Sequence, residues 1–169
     1  MASSQTPFVP SEFSELPFGE QLVLWATRIW FQALRTETNA QGILRKCFLN
    51  ARASEAYLAL DDLLTILTIS AQCGIDIRVP KSAQISADEN FFLGAIAAWQ
   101  HQASASLADA FLINWMPVSA VRFSRTPTAR LASALKDAGL IISCRKLTGP
   151  SVPIHIVEAN DVIRAITIH

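Results

Sequence analysis

Apolar residues in the first part of the chain recur with the period of a helix. Within residues 17–35, Phe18, Leu22, Trp25, Ile29 and Ala33 follow one another at spacings of four, three, four and four, which is one face of an α-helix. Pro17 suits its first turn and Glu20 suits the positive end of its dipole. Glu20, Gln21, Thr27, Arg28, Gln32 and Arg35 share one arc of the same wheel, yet Leu24 and Phe31, seven apart, fall inside that arc. The helix is therefore apolar nearly all round, so it must be central in its own fold or covered by a partner.

Helical periodicity continues. Residues 41–51 predict a shorter helix with Ile43, Leu44, Cys47 and Phe48 apolar and Arg45 and Lys46 charged. Residues 54–71 predict a long one, with Leu60, Leu63, Leu64 and Leu67 on one side and Glu55, Asp61 and Asp62 on the other, stopped by Cys73-Gly74. Ile75 to Val79 alternates up to Pro80 and reads as a short extended piece. Ser86, followed three residues later by Glu89, is a capping box opening a helix with Phe92, Ile96 and Trp99 on one face. Ser104 or Ser106 caps the next helix, which Pro117 bounds.

The last third has a different texture. After a short helix over 118–123, Thr126 and Pro127 supply a cap and a first-turn proline for a helix over 128–138, with Leu131, Leu135 and Ala138 on one face and Gly139 as its stop. Two β-rich runs, 140–147 and 152–157, flank Thr148-Gly149-Pro150 and predict a hairpin. The expected fold is mainly α: a compact multi-helix domain of five to seven helices over 17–169 with a small C-terminal β-hairpin, preceded by a flexible arm over 1–16.

Composition narrows the function classes. With 169 residues, 51% hydrophobic and 17% charged, the chain is long and apolar enough to bury a core. Fourteen basic residues balance fourteen acidic ones, so the whole chain has no electrostatic bias toward nucleic acid or anionic membrane. Cys47, Cys73 and Cys144 are an odd number without a Cys-x-x-Cys pair, which points to buried, reduced thiols filling the core and to a cytoplasmic protein. Residues 1–16 carry Pro7, Pro10, Glu12 and Glu15 without the features of a secretory signal, and no stretch reads as a membrane span.

Candidate chemistry is sparse. His101, His155 and His169 lack the i, i+4 or i, i+3 spacings of helical metal motifs, and His101 sits where a capping or solvated role is expected. Asp61-Asp62 and Asp88-Glu89 are adjacent carboxylates, which do not face each other on a helix; the second pair is already explained as first-turn acids. There is no glycine-rich phosphate loop and no nucleophile elbow. Neither a cofactor nor a metal is expected, and catalysis is not.

Two signals remain. Residues 117–150 contain Arg122, Arg125, Arg130, Lys136, Arg145 and Lys146 against Asp137 alone, a local excess of five positive charges that leaves the remainder five negative. The phrase LASALKDAGLIIS, a helix ending in Ala-Gly-Leu and running into a strand, resembles the recognition-helix-to-wing junction of winged helix-turn-helix regulators. That resemblance implies a winged-helix-like region over 117–158 whose six cations contact DNA phosphates. Gly139 serves equally as a plain helix stop, and a solvated basic face accounts for the same charges.

The second signal is hydrophobic excess. Four tryptophans and nine phenylalanines, with Leu24 and Phe31 on the polar arc of the first helix, exceed what one small domain hides. The leading expectation is a non-enzymatic interaction or regulatory protein, self-associating or bound to a protein partner through Leu24 and Phe31. A winged-helix DNA-binding regulator is the alternative, and a helical small-molecule binder comes third.

Overall fold

The computed structural model describes residues 11–102 and 104–146. Among them are six α-helices: α1 (Phe18–Arg35), α2 (Gln41–Asn50), α3 (Ser54–Ser70), α4 (Ala87–Gln100), α5 (Ala105–Leu112) and α6 (Val118–Asp137), preceded by a 3-10 turn, Phe13–Glu15. The expectation of a compact, mainly helical fold holds. One core joins Leu60, Leu63, Leu64 and Leu67 of α3, Phe92, Leu93 and Ile96 of α4 and Leu131 and Leu135 of α6. α3 makes its broadest contact with α6, and α4 packs on α5, α6 and α1.

Local chemistry sets most of the boundaries. The Ser86 hydroxyl accepts from the Glu89 N–H at 3.0 Å while the Glu89 carboxylate accepts from the Ser86 N–H at 3.0 Å, a complete capping box for α4. Ser104 caps α5 through the Leu107 N–H. α6 ends in a Schellman motif: Gly139 takes φ +74°, its N–H bonds the Lys136 carbonyl at 2.9 Å, and the Leu140 N–H bonds the Leu135 carbonyl at 2.8 Å.

Three sequence expectations are corrected. Residues 118–123 and 128–138 form one helix, with Pro127 in its interior. Such a proline normally costs about 3 kcal/mol, but here Val121, Leu131 and Leu135 form a continuous apolar face buried against α3. Proline removes the partner of the Phe123 carbonyl, at an exposed position, and the Thr128 hydroxyl bonds the Ser124 carbonyl at 2.6 Å.

Residues 140–146, expected as the first hairpin strand, carry no strand among the described residues, and the second run, 152–157, lies outside them. With one helix in place of two and no strand over 140–146, the helix–helix–wing order implied by the winged-helix resemblance is not found among the described residues of 117–146. The segment is instead an extended strap. Gln100 holds it from both sides of its amide, donating to the Leu140 carbonyl at 2.9 Å and accepting from the Ile142 N–H at 2.8 Å. His101, the C-cap of α4, bonds the Ile142 carbonyl through Nε2 at 2.9 Å. Leu140 also lies so close to α1 that a Cβ added at Gly19 would sit 3.1 Å from its Cβ.

Residues 11–16, expected to be loose, are docked. The Phe13 N–H bonds the Ala83 carbonyl at 2.7 Å, the Ile85 N–H bonds the Ser11 carbonyl at 3.1 Å, and Leu16 is buried. Residues 75–79 are extended without forming a strand.

The polar arc of α1 is where these irregular segments converge. Arg28 and Glu89, both fully buried, form a bidentate ion pair at 2.7 and 2.9 Å. Arg28 also donates to the Ser82 and Gln84 carbonyls, each at 2.8 Å, with its guanidinium 5.0 Å from the Phe13 ring centre. In the first turn of α1, buried Glu20 accepts from Arg145 at 2.9 and 2.6 Å and from the Ser143 N–H at 2.7 Å. Burial alone would raise the Glu20 carboxyl, but the hydrogen bonds and charge of Arg145 and the Ser143 N–H outweigh it and hold it below its ordinary value of 4.5.

Glu89→Gln keeps the shape and leaves Arg28 buried without its counter-charge. Urea denaturation is expected to show a loss of about 3–5 kcal/mol; a change within the roughly 0.5 kcal/mol of a surface substitution would contradict the pair's structural role. The Glu20 contribution is complete above its ordinary 4.5 and disappears as pH falls through the lower folded value. Glu20→Gln should therefore be less stable than wild type at neutral pH, with the gap closing as the pH is taken below 4.5. A gap unchanged by acid would refute this.

Candidate functional site

Apart from its exposed first residue, Phe18, and half-buried Gln21 and Trp25, α1 is buried along its first half, and it emerges along its second. Leu22, Val23, Leu24, Ala26, Thr27 and Arg28 are buried, whereas Ile29, Trp30 and Phe31 are half-buried and Leu34 is exposed. The spacing of Trp30, Phe31 and Leu34, i, i+1 and i+4, places them on one side of the helix. Trp30 and Phe31 meet edge to face, 5.3 Å between ring centres.

A groove of about 250 Å³ opens beside them, between the end of α1, the start of α2 and the middle of α3. Trp30, Leu34, Leu44 and Tyr57 form its apolar walls. Asp61 is the one charged residue lining it among the described residues, and its Oδ1 accepts from the Trp30 indole N–H at 2.7 Å. Burial and the Asp61 charge push the Tyr57 hydroxyl up, against the smaller opposing effect of Arg45, whose guanidinium lies 5.8 Å from the Tyr57 ring centre. A phenol hydroxyl and a carboxylate framed by Trp and Leu can hold an apolar group that carries a positive charge.

The two interface residues expected from sequence separate here. Leu24 has 0% exposure, so its apolar surface is already covered inside the monomer. Its place on the polar arc misleads because that arc faces the docked strap and the 75–86 loop rather than solvent. Phe31 does reach the surface, and Leu34, which the sequence reading missed, extends it. Leu34 was findable: it continues the Trp30–Phe31 side by one turn.

Four of the six cations of the last third lie on α6, and three of the six are paired with acids. Arg125 pairs with Asp109, Arg130 with Asp62 at 3.5 Å, and Arg145 with Glu20. The Arg125 guanidinium is pushed up by its hydrogen bonds to and the charge of Asp109. Lys136 bonds the Gln100 carbonyl at 3.3 Å, while Arg122 and Lys146 are exposed and make no ion pair among the described residues.

The acids weighed for catalysis all hold structural bonds. Asp61 takes Trp30; Asp62 takes Arg130; Asp88 accepts from the Trp115 indole at 3.2 Å and the Asp76 N–H at 2.7 Å; Glu89 takes Arg28. His101 fills the capping role expected of it. Two of the cysteines differ from expectation: Cys73 and Cys144 are exposed and so are not core filler, while Cys47 is half-buried and packs against the core. No group of three metal-ligating side chains occurs among the described residues, and no helix there is long and apolar enough to cross a membrane.

A second apolar surface lies between the end of α3 and the start of α6, where Ile69 is 79% and Phe123 75% exposed. It carries no charged lining residue.

Leu24→Glu would place an unpaired charge in the core and is expected to abolish cooperative unfolding, or to cost more than about 4 kcal/mol. Phe31→Glu should leave the fold within about 1 kcal/mol of wild type. Thermal melts followed by circular dichroism separate the two, and equal losses would contradict the division of α1. Comparison of the chain with protein-family models, with curated proteins and with solved structures finds no match.

Proposed function

We propose that the chain is a non-enzymatic interaction protein of the cytoplasm that works as a homodimer, with the emergent half of α1 and its groove as the contact. The observation that carries this reading is the apolar side of Trp30, Phe31 and Leu34, half-buried to exposed beside a groove, while residues 22–24 and 26–28 of the same helix are buried. Trp30 and Phe31 leave part of their apolar surface uncovered beside exposed Leu34, and burying that surface at a contact contributes about 25 cal/mol per Å². The occupied state of Asp61, Asp62, Asp88 and Glu89 supports a non-catalytic role. The pairing of Arg125, Arg130 and Arg145 with acids weighs against the alternative of a DNA-binding regulator.

Size-exclusion chromatography with light scattering is expected to give twice the 18.5 kDa of one chain, unchanged by a random DNA duplex. Phe31→Glu combined with Leu34→Glu should give a monomer with an unaltered circular dichroism spectrum. A wild-type chain that stays monomeric as concentration rises overturns the reading.

A further inference from the structure

We infer that the occupant of the groove is α2 of a second copy, with Lys46 of each copy meeting Asp61 of the other. The inference rests on the dimer reading above and specifies its contact. The groove is lined by Trp30, Leu34 and Tyr57 together with the uncharged polar residues Thr38, Asn39 and Gln41, and its single lining charge is Asp61, so a partly apolar segment bearing one positive charge complements it. Asp61 has its Oδ1 on Trp30 and makes no ion pair among the described residues.

The chain carries that segment itself. α2 buries Leu44 and Phe48 against α3 and turns Ile43, Lys46 and Leu49 outward. At about 100° per residue, Lys46 lies between the other two, roughly 60° from each. Ile43 is 52% and Leu49 65% exposed, and Lys46 makes no ion pair among the described residues. Gly42 shares this face, and a Cβ there would meet nothing within 4 Å, so a neighbouring backbone can approach closely. An ammonium flanked by two aliphatic side chains is the chemical complement of a carboxylate flanked by Trp and Leu.

Symmetry makes the match productive. In a two-fold dimer, a patch that fits a second patch on the same chain forms its contact twice, provided the patches adjoin. They do: α2 supplies the outward face and, through Leu44, part of the groove wall. The α3–α6 surface around Ile69 and Phe123 offers no charge to select a complement.

Charge reversal tests the pairing. Lys46→Asp and Asp61→Lys, each alone, would set like charges against each other twice and should raise the dimer dissociation constant by at least about tenfold. Mixing the two variants restores both opposite-charge pairs in the heterodimer and should return dimerisation toward wild type. Asp61→Asn, which keeps an oxygen for Trp30, should weaken the dimer in the same direction if Asp61→Lys disturbs the fold. A wild-type dimer that neither reversal weakens, or reversals that mixing does not rescue, overturns this contact while leaving the dimer reading intact. Dissociation by Ile69→Glu with Phe123→Glu alone would place the interface elsewhere and overturn it as well. A monomeric wild type overturns both.

Discussion

The Arg28–Glu89 pair is the interaction on which the rest of the molecule depends. Removing two charges from water costs several kcal/mol each, and attraction recovers this only when geometry is good and the remaining polar atoms are satisfied. Here the guanidinium holds both carboxylate oxygens and the Ser82 and Gln84 carbonyls, and the carboxylate also accepts from the Arg78 and Ser86 N–H groups. The pair thus joins α1 to α4 and supplies backbone partners to a loop that has no ladder of its own. Phe13, over the guanidinium, brings the N-terminal segment to the same place.

Glu20 and Arg145 repeat the device at the start of α1, with Ser143 in the part of the loop backbone. Both pairs use the polar arc of a helix as an internal anchor for irregular chain. The helix is consequently enclosed along its first half, where loop and strap wrap it, and open beyond Ile29, where α2 packs on α3 instead. That change of neighbour leaves the groove beside Trp30. The candidate site is thus a consequence of where the anchoring ends.

Half of the cations in the basic last third are neutralised by the same logic. Asp62, Asp109 and Glu20, all from the more acidic remainder of the chain, pair with Arg130, Arg125 and Arg145. Charge segregated along the sequence is interleaved in space. Of the candidate site, the sequence disclosed the unusual apolarity of α1 and the exposure of Phe31, and hid the Trp30–Asp61 bond and the burial of Leu24.

Local grammar was legible because its causes act over a few residues. The Ser86–Glu89 capping box, the Ser104 cap, the Gly139 stop and the apolar faces of α3 and α4 all follow from neighbours three or four positions away, whereas of the face expected for α1 only Leu22 is buried and Phe18 is exposed. What only the tertiary structure decided depends on which elements meet. Pro127 sits inside a helix because α6 gains more from one continuous face on α3 than it loses at one carbonyl. Arg28 finds Glu89 across 61 positions and Glu20 finds Arg145 across 125, so whether a polar arc faces water or the interior is not written at that arc. A side chain's type sets which partners can satisfy it, but burial depends on the whole packing arrangement, which no short stretch of sequence contains.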